Sequence, residues 1–374
     1  MKEKVALSRV SSYEEVEEGI EKALSLIGGI ERFIPRGSRV LLKPNLLSPN
    51  PKEKAVTTHP AVVEAVARMV IRAGGEPLIG DSPALSDLAK VAEVAGITEV
   101  ADKTGAELVP FSQSVSITPS PSATFKRIEI AKEAVEADVI INLPKVKTHN
   151  LMGLTLAVKN LFGCIVGRRK AQWHLRAGNN PHFFALMLLD LYLAIKPALT
   201  IVDGVVGLEG DGPGSGGTPR KLGFVMVGKD PLAIDFAITS LLGVSPDTLP
   251  HLFEAKRRHL FDPKDLELVG DDPSGFLLSD FKMPRVSSVR SGLLSLFTRL
   301  FRKNLSPRPV VNEEQCVLCS QCVSVCPPKA AREEEGRIVI DYRKCISCFC
   351  CQEVCPEGAI EVVEGWFAKK LLKN

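Results

Sequence analysis

Short, solid apolar runs alternate with longer stretches of helical period along the first 285 residues of this chain. Residues 3–10 read as a strand. Ser12 then caps a helix, with Glu15 as its capping-box partner. Val16, Ile20, Ala23, Leu24 and Ile27 repeat at the helical period, and Gly28-Gly29 stops the run. Residues 39–43 form the next strand. His59-Pro60 opens a helix that reaches Ala73. Pro77–Ile79 reads as a strand ending in Gly80-Asp81-Ser82-Pro83, followed by a helix over 84–95. Residues 137–141 are a strand that leads into a polar loop, 142–150. Residues 154–163 and 182–195 read as helices. Residues 199–202 are a strand ending at Asp203-Gly204. After a glycine-rich loop come a strand at 222–227 and a helix from Asp230-Pro231 through Leu242.

Strands that read as solid apolar runs are buried on both faces, and their alternation with helices implies a mostly parallel sheet. The expectation is therefore an α/β domain over residues 1–285, with helices on both faces of its sheet. Residues 286–309 read as a linker. In it Leu293, Leu294, Leu296, Phe297, Leu300 and Phe301 interleave with Arg290, Arg299, Arg302 and Lys303 as a basic amphipathic helix. The tail, 366–374, has the same character. Both are expected to pack back onto the protein, with docking on a partner or an anionic membrane surface as the other reading. Residues 310–365 form a small α+β unit of ferredoxin type.

That unit carries the plainest chemistry. Cys316, Cys319, Cys322 and Cys326-Pro327 recur as Cys345, Cys348, Cys351 and Cys355-Pro356. Each copy is C-x2-C-x2-C-x3-C-P, in which three thiolates hold three corners of a cubane and the fourth ligates the other cluster. Cys316, Cys319, Cys322 and Cys355 are thus assigned to one 4Fe-4S cluster. Cys345, Cys348, Cys351 and Cys326 are assigned to a second. Zinc sites pair their cysteines differently, and a disulfide framework belongs to exported chains. Cys350 lies out of step and reads as a spare thiol beside the cluster. Cys164 reads as a buried, inert thiol.

Composition narrows the setting. A chain of 374 residues with 45% hydrophobic and 24% charged residues suits a soluble globular protein with a sizeable core. A net charge of +3 does not call for nucleic acid. The N-terminus has no signal-peptide core, and no run of about 18 apolar residues exists to span a membrane. Cysteines given over to iron fit a reducing, cytoplasmic and anaerobic setting.

In an open α/β sheet, ligands bind beyond the carboxyl ends of the strands. Those ends deliver Lys43 and Asn45, then Asp81 and Ser82, then Asn142, Lys145, Lys147 and His149, then Asp203 and Glu209. With Lys159, Arg168, Arg169 and Lys170, the lysines would converge on a cationic pocket for a carboxylate or phosphate. His149 is the preferred proton carrier, with His59 and His174 as further candidates. The loop 210–217 contains a formal G-x-G-x-x-G. A strand follows it rather than a helix, so it reads as a mobile flap and not a dinucleotide fingerprint. Gly223–Asp230 fails as a P-loop, because Asp230 stands where Ser or Thr belongs.

The segments KPNL at 43–46, THPAVVEAV at 58–66, GDSP at 80–83, NLPKVKTHNLMGLTLAVKNLFG at 142–163 and GKDPLAID at 228–235 together resemble one family. It is the family catalogued as domain of unknown function 362, often fused to a ferredoxin unit. The resemblance implies an α/β domain in an iron-sulfur redox setting. It places Lys43, Asn45, Lys145, Lys147, His149, Lys159 and Asn160 in signature segments, and supplies no substrate.

Two functions follow as expectations. One is an oxidoreductase whose clusters relay electrons to an anionic small molecule. There Lys145, Lys147 and His149 are catalytic, and Lys43, Asn45, Asp81, Ser82, Lys159, Asn160 and Asp203 bind the substrate. The other is an electron carrier or assembly factor whose α/β domain binds a partner. Both expect a redox partner protein, and flavin or another organic cofactor stays open. Native mass spectrometry of protein purified without oxygen is expected to show the chain plus two 4Fe-4S clusters. A mass without them would sink the ligand assignment.

Overall fold

A computed structural model describes residues 2–167, 169–178, 180–284 and 307–363. Arg168, the basic stretch Arg290–Lys303 and the tail 366–374 lie outside the described residues. In chain order the first elements are β1 Glu3–Arg9, α1 Val16–Ser25, β2 Arg39–Pro44, α2 Pro60–Arg72, β3 Glu76–Asp81, α3 Leu88–Val94, α4 Ile97–Thr104 and β4 Glu107–Pro110. A small hairpin of β5 Ser114–Ile117 and β6 Ile128–Ala131 leads to α5 Lys132–Glu136 and β7 Val139–Leu143. Next come β8 Lys145–His149, β9 Gly153–Thr155, α6 Ala157–Asn160, α7 Arg169–Ala177 and α8 Pro181–Ile195. The α/β part closes with β10 Leu199–Gly210, β11 Gly217–Gly228, α9 Pro231–Leu241, α10 Pro250–Arg257 and β12 Leu266–Gly270.

The main sheet has the order β12-β1-β11-β10-β7-β2-β3-β4, with β8 added on β10 and β9 on β8. Along that path β11 alone runs against its neighbours among the described residues. The pleat sends alternate residues to opposite cores. Val5 and Leu7 enter the core that holds α8, α9 and α10. Ala6 between them enters the core under α1, α2 and α4. Burial on both faces is the reason these strands read as unbroken apolar runs.

The chain leaves β2 for β3 on one side, while β7 pairs with the other side of β2. That makes a topological switch point, and Lys43 sits in register with Asn142 across it. Ligand sites of open sheets lie at such points.

Several local expectations shift. The first helix begins at Val16 after a short 3-10 turn, and the Glu15 carboxylate accepts from the amide of Ser11 rather than Ser12. The helix expected over 84–95 starts at Leu88, because the Asp81 carboxylate takes the Ser82 amide and holds the preceding segment as a loop. The polar segment 142–150 is largely strand β8, paired to β10 and β9. The helix expected over 154–163 shrinks to α6 and a 3-10 turn, Leu161–Cys164. The strand expected to end at Asp203 runs to Gly210, past an irregularity between Gly204 and Val206. The glycine-rich loop is the turn of the β10–β11 hairpin, with Gly210 opposite Gly217.

The C-terminal unit comprises β13 Arg308–Val311, α11 Gln321–Val325, β14 Ala331–Glu334, β15 Arg337–Ile340, α12 Cys350–Glu353 and β16 Ile360–Val363. β13 pairs antiparallel with β16, and β14 with β15. Among the described residues no helix is long and apolar enough to cross a membrane.

Asp235, fully buried on α9, fixes α6 in place. Its carboxylate accepts from the amides of Ala157 at 2.7 Å and Val158 at 3.2 Å, and lies 3.0 Å from His251 Nε2. The Asp235→Ala variant leaves two amides and a histidine unpaired in the core. It is expected to lose about 3 kcal/mol of unfolding free energy, read by urea titration followed by circular dichroism.

Candidate functional site

At the switch point the signature residues bind one another. Lys43, at the end of β2, lies 2.9 Å from Asp81 Oδ1 and donates to the Pro44 carbonyl at 2.6 Å. Asp81 also accepts from the amides of Leu46 and Ser82. A side chain at Gly163 could not coexist with this pair, since a Cβ there would stand 2.2 Å from Asp81 Oδ1 and 2.5 Å from Lys43 Nζ. Asn160, on α6, donates to the Lys43 carbonyl and to Asn142 Oδ1, and accepts from Asn45. Ser82 Oγ accepts from Gly167, and Lys170 Nζ donates to the Ser82 carbonyl.

On β8, Lys145, Lys147 and His149 stand at alternate positions, all buried. Lys145 pairs with Asp203 Oδ2 at 2.9 Å and donates to the Tyr13 hydroxyl at 2.7 Å. Asp203 also accepts from Tyr13 and from the His59 amide. Lys147 donates to Asn45 Oδ1 and to the Val56 carbonyl, both at 2.7 Å. His149 Nδ1 accepts from the amides of Leu151 and Met152, so the ring proton resides on Nε2.

The lysines therefore do not line an open cationic pocket as expected. Lys43 and Lys145 are paired with carboxylates, and Lys147 donates to two uncharged carbonyl oxygens. The reason is desolvation: a buried ammonium is costly unless paired. Glu209 likewise serves locally, accepting from the Lys282 amide. His59 caps α2 by accepting from Ala61, and stacks on Tyr13 at 3.5 Å.

The ferredoxin unit closes over the end of β8. His149 Nε2 lies 2.9 Å from Glu353 Oε1, although the N–H does not point along that line. Asn150 donates to Gln352 Oε1 and to the Gly212 carbonyl, and Gln352 donates to the Asp211 carbonyl. The glycine turn is thus a docking surface rather than a free flap. A Cβ on Gly214 would stand 2.7 Å from the Glu353 carbonyl oxygen.

Burial dominates the electrostatics here. It pushes Lys147 down to about 7, helped by the Lys159 charge and opposed by Glu353. Burial pushes His149 and His174 down to about 4. Burial acts upward on the Glu353 carboxyl, but His149 and Lys159 outweigh it and hold the group well below the usual range. His174 Nδ1 is buried without a hydrogen bond, its ring stacked on Phe184 at 4.5 Å.

Eight thiols frame two cavities. Cys316, Cys319, Cys322 and Cys355 line the first. Cys326, Cys345, Cys348 and Cys351 line the second, with Cys350 beside them. Amides of Ala330, Ser347 and Ala359 donate to the sulfurs of Cys326, Cys345 and Cys355. Leu318 and Ser320 adopt positive φ in the first loop, as Ser347 and Phe349 do in the second. Non-glycine residues accept that conformation at a cost, which suits loops wrapped around a bulky group. Among the described residues no three His, Cys, Asp or Glu side chains close on a single ion. The thiols surround spaces of the kind a cubane fills.

Sequence reasoning missed Tyr13, Gln352, Glu353 and Asp235 as parts of the site. Glu353 and Gln352 carry a signal only in their place between Cys351 and Cys355. Tyr13 carries none, since a hydrophobic staple would look the same. Cys164 is buried, and burial pushes its thiol up to about 12, as suits an inert group.

Residues 40–240 match the family model described as a domain of unknown function (DUF362), and residues 308–356 match the model of a 4Fe-4S dicluster domain. The thylakoid-associated protein sll1697 of Synechocystis sp. is 39% identical over 290 residues, which is 76% of this chain and 89% of that protein. The lactate racemase apoprotein of Thermoanaerobacterium thermosaccharolyticum superposes with a TM-score of 0.36 at 15% identity, over 54% of this chain and 50% of that one. The chain belongs to the DUF362 family and carries a 4Fe-4S dicluster domain at its C-terminal end.

Proposed function

We propose that this protein is an iron-sulfur oxidoreductase that passes electrons through two 4Fe-4S clusters to an anionic substrate or cofactor held at the end of β8. The contact between His149 and Glu353 carries this reading, because it joins the strand end to the second cysteine loop. Cys316, Cys319, Cys322 and Cys355 would hold one cluster, and Cys345, Cys348, Cys351 and Cys326 the other. The clusters would supply one-electron transfer.

The remaining roles belong to the protein. Lys159, which has no ion pair among the described residues and lies over the Phe162 ring, attracts the anion. Lys147, poised at about 7, takes or gives the proton. His149 stays neutral and offers its Nε2 proton as a hydrogen-bond donor. Lys43, Asn45, Asp81, Ser82, Asn160, Lys145 and Asp203 hold the strand ends in position. Val317 and Leu318, at 62% and 40% exposure beside the first cavity, form the rim where a redox partner protein would dock. A reducing compartment is part of this reading, since eight thiols serve iron.

The test uses dithionite-reduced protein mixed anaerobically with small anionic acceptors, namely 2-oxo acids, FMN and NADP. Saturable reoxidation is expected with at least one. Lys159→Ala should raise its half-saturating concentration about tenfold or more, the equivalent of one charge-assisted hydrogen bond. His149→Gln should slow the saturated rate with both clusters retained. Linear, unsaturable reoxidation, equal in wild type and both variants, would make the protein a carrier instead.

The saturated rate should also depend on pH. Below about 7 Lys147 is protonated, and above it the amine is free. A step that needs the free amine therefore gains speed as pH rises through about 7. That inflection should vanish in Lys147→Met, as read from rate profiles of both proteins.

A further inference from the structure

The two cysteine cavities differ in their donor sets. Four thiols line the first, those of Cys316, Cys319, Cys322 and Cys355. Five line the second, because Cys350 stands there with Cys326, Cys345, Cys348 and Cys351. A 4Fe-4S cluster takes four thiolates. The second cavity therefore holds one thiol more than such a cluster needs.

A buried cysteine usually behaves as a small, inert hydrophobe. Cys164 is of that kind, for it belongs to an apolar cluster with Leu41, Leu78, Ile140 and Val166. Cys350 is equally closed to water, at 5% exposure, but it faces a space walled by other thiols. It opens α12 and lies between Cys348 and Cys351 in the chain. Cys326 comes from the other run, so Cys348 and Cys351 are the ligands nearest to it in sequence.

The far end of α12 is fastened to the α/β domain. Gln352 donates to the Asp211 carbonyl at 3.0 Å, and Glu353 Oε1 lies 2.9 Å from His149 Nε2. A Cβ on Gly214 would stand 2.7 Å from the Glu353 carbonyl oxygen, so the glycine turn packs directly on the helix. These contacts keep α12 from turning, and hold the Cys350 thiol at the cavity wall.

We propose that Cys350 is a reserve ligand of the second cluster, which replaces Cys348 or Cys351 when that thiolate leaves its iron. In the exchange the leaving sulfur's bond to iron breaks and a bond from Cys350 Sγ to the same iron forms. The Cys350 proton passes to the departing thiolate. Iron count, oxidation state and total charge are unchanged, so no oxidant or reductant takes part. An iron that loses its ligand is thereby recaptured. The inference rests on the proposed function only for the presence of the second cluster, and requires no substrate.

Native mass spectrometry of anaerobically purified, full-length holoprotein tests it. Cys348→Ala or Cys351→Ala, or both, should keep two 4Fe-4S clusters. Adding Cys350→Ala to the variant that keeps them should remove the second cluster. Loss of that cluster from both single variants, or its retention in the double variants, would overturn the proposal. A second measurement avoids substituting any of the eight assigned ligands. Iron release from Cys350→Ala to a ferrous chelator should run about tenfold faster than from wild type, the scale on which metal sites weaken when a supporting residue is removed. Equal release rates would overturn the proposal even where the ligand variants fail to fold. Wild-type protein without a second cluster would overturn it together with the cluster assignment, whereas two intact clusters with no rescue by Cys350 would overturn this inference alone.

Discussion

Desolvation of ammonium groups governs this structure. Lys43, Lys145 and Lys147 are stripped of water at the ends of β2 and β8. Each such ion costs several kcal/mol unless the protein replaces its hydration. The replacement dictates much of the signature sequence. Asp81 and Asp203 supply charge, while Asn45 and the Pro44 and Val56 carbonyls supply acceptors. Gly163 keeps the space that the Lys43–Asp81 pair occupies. The switch point is consequently packed with its own polar side chains instead of being hollow.

The same constraint shapes the join between the two units. Among the described residues His149 meets no carboxylate from its own domain, and its neighbour Glu353 comes from the other. Gln352 and the glycine turn add hydrogen bonds and close backbone contact. The second cysteine loop is thereby held over β8, while the first remains at the surface. One loop is open to water at Val317 and Leu318, and the other faces the strand ends.

Much of the fold could be read from short-range pattern. Solid apolar runs identified β1, β2, β3, β7 and β11, and helical period identified α1, α2, α8 and α9, with Gly stops for the first two. The shortening of the helix expected over 154–163 to α6 and the appearance of β8 could not be read that way. Lys145-Val-Lys-Thr-His149 looks like a polar loop, yet it is a buried strand because partners arrive for each polar side chain. The glycine turn looked like a lid because its docking surface is remote in sequence.

The sequence by itself determined the cluster chemistry, since ligand spacing within a run is covalent and local. It also determined the sheet class, through the burial that apolar runs demand. Which lysine meets a carboxylate, which has none among the described residues, and which cysteine loop faces the α/β domain were decided by tertiary structure. Those pairings join residues 35, 58 and 202 positions apart, such as Leu46 with Asp81, Lys145 with Asp203, and Asn150 with Gln352. Strand order and domain docking bring such residues together, and the charge state of a buried group depends on that full set of neighbours.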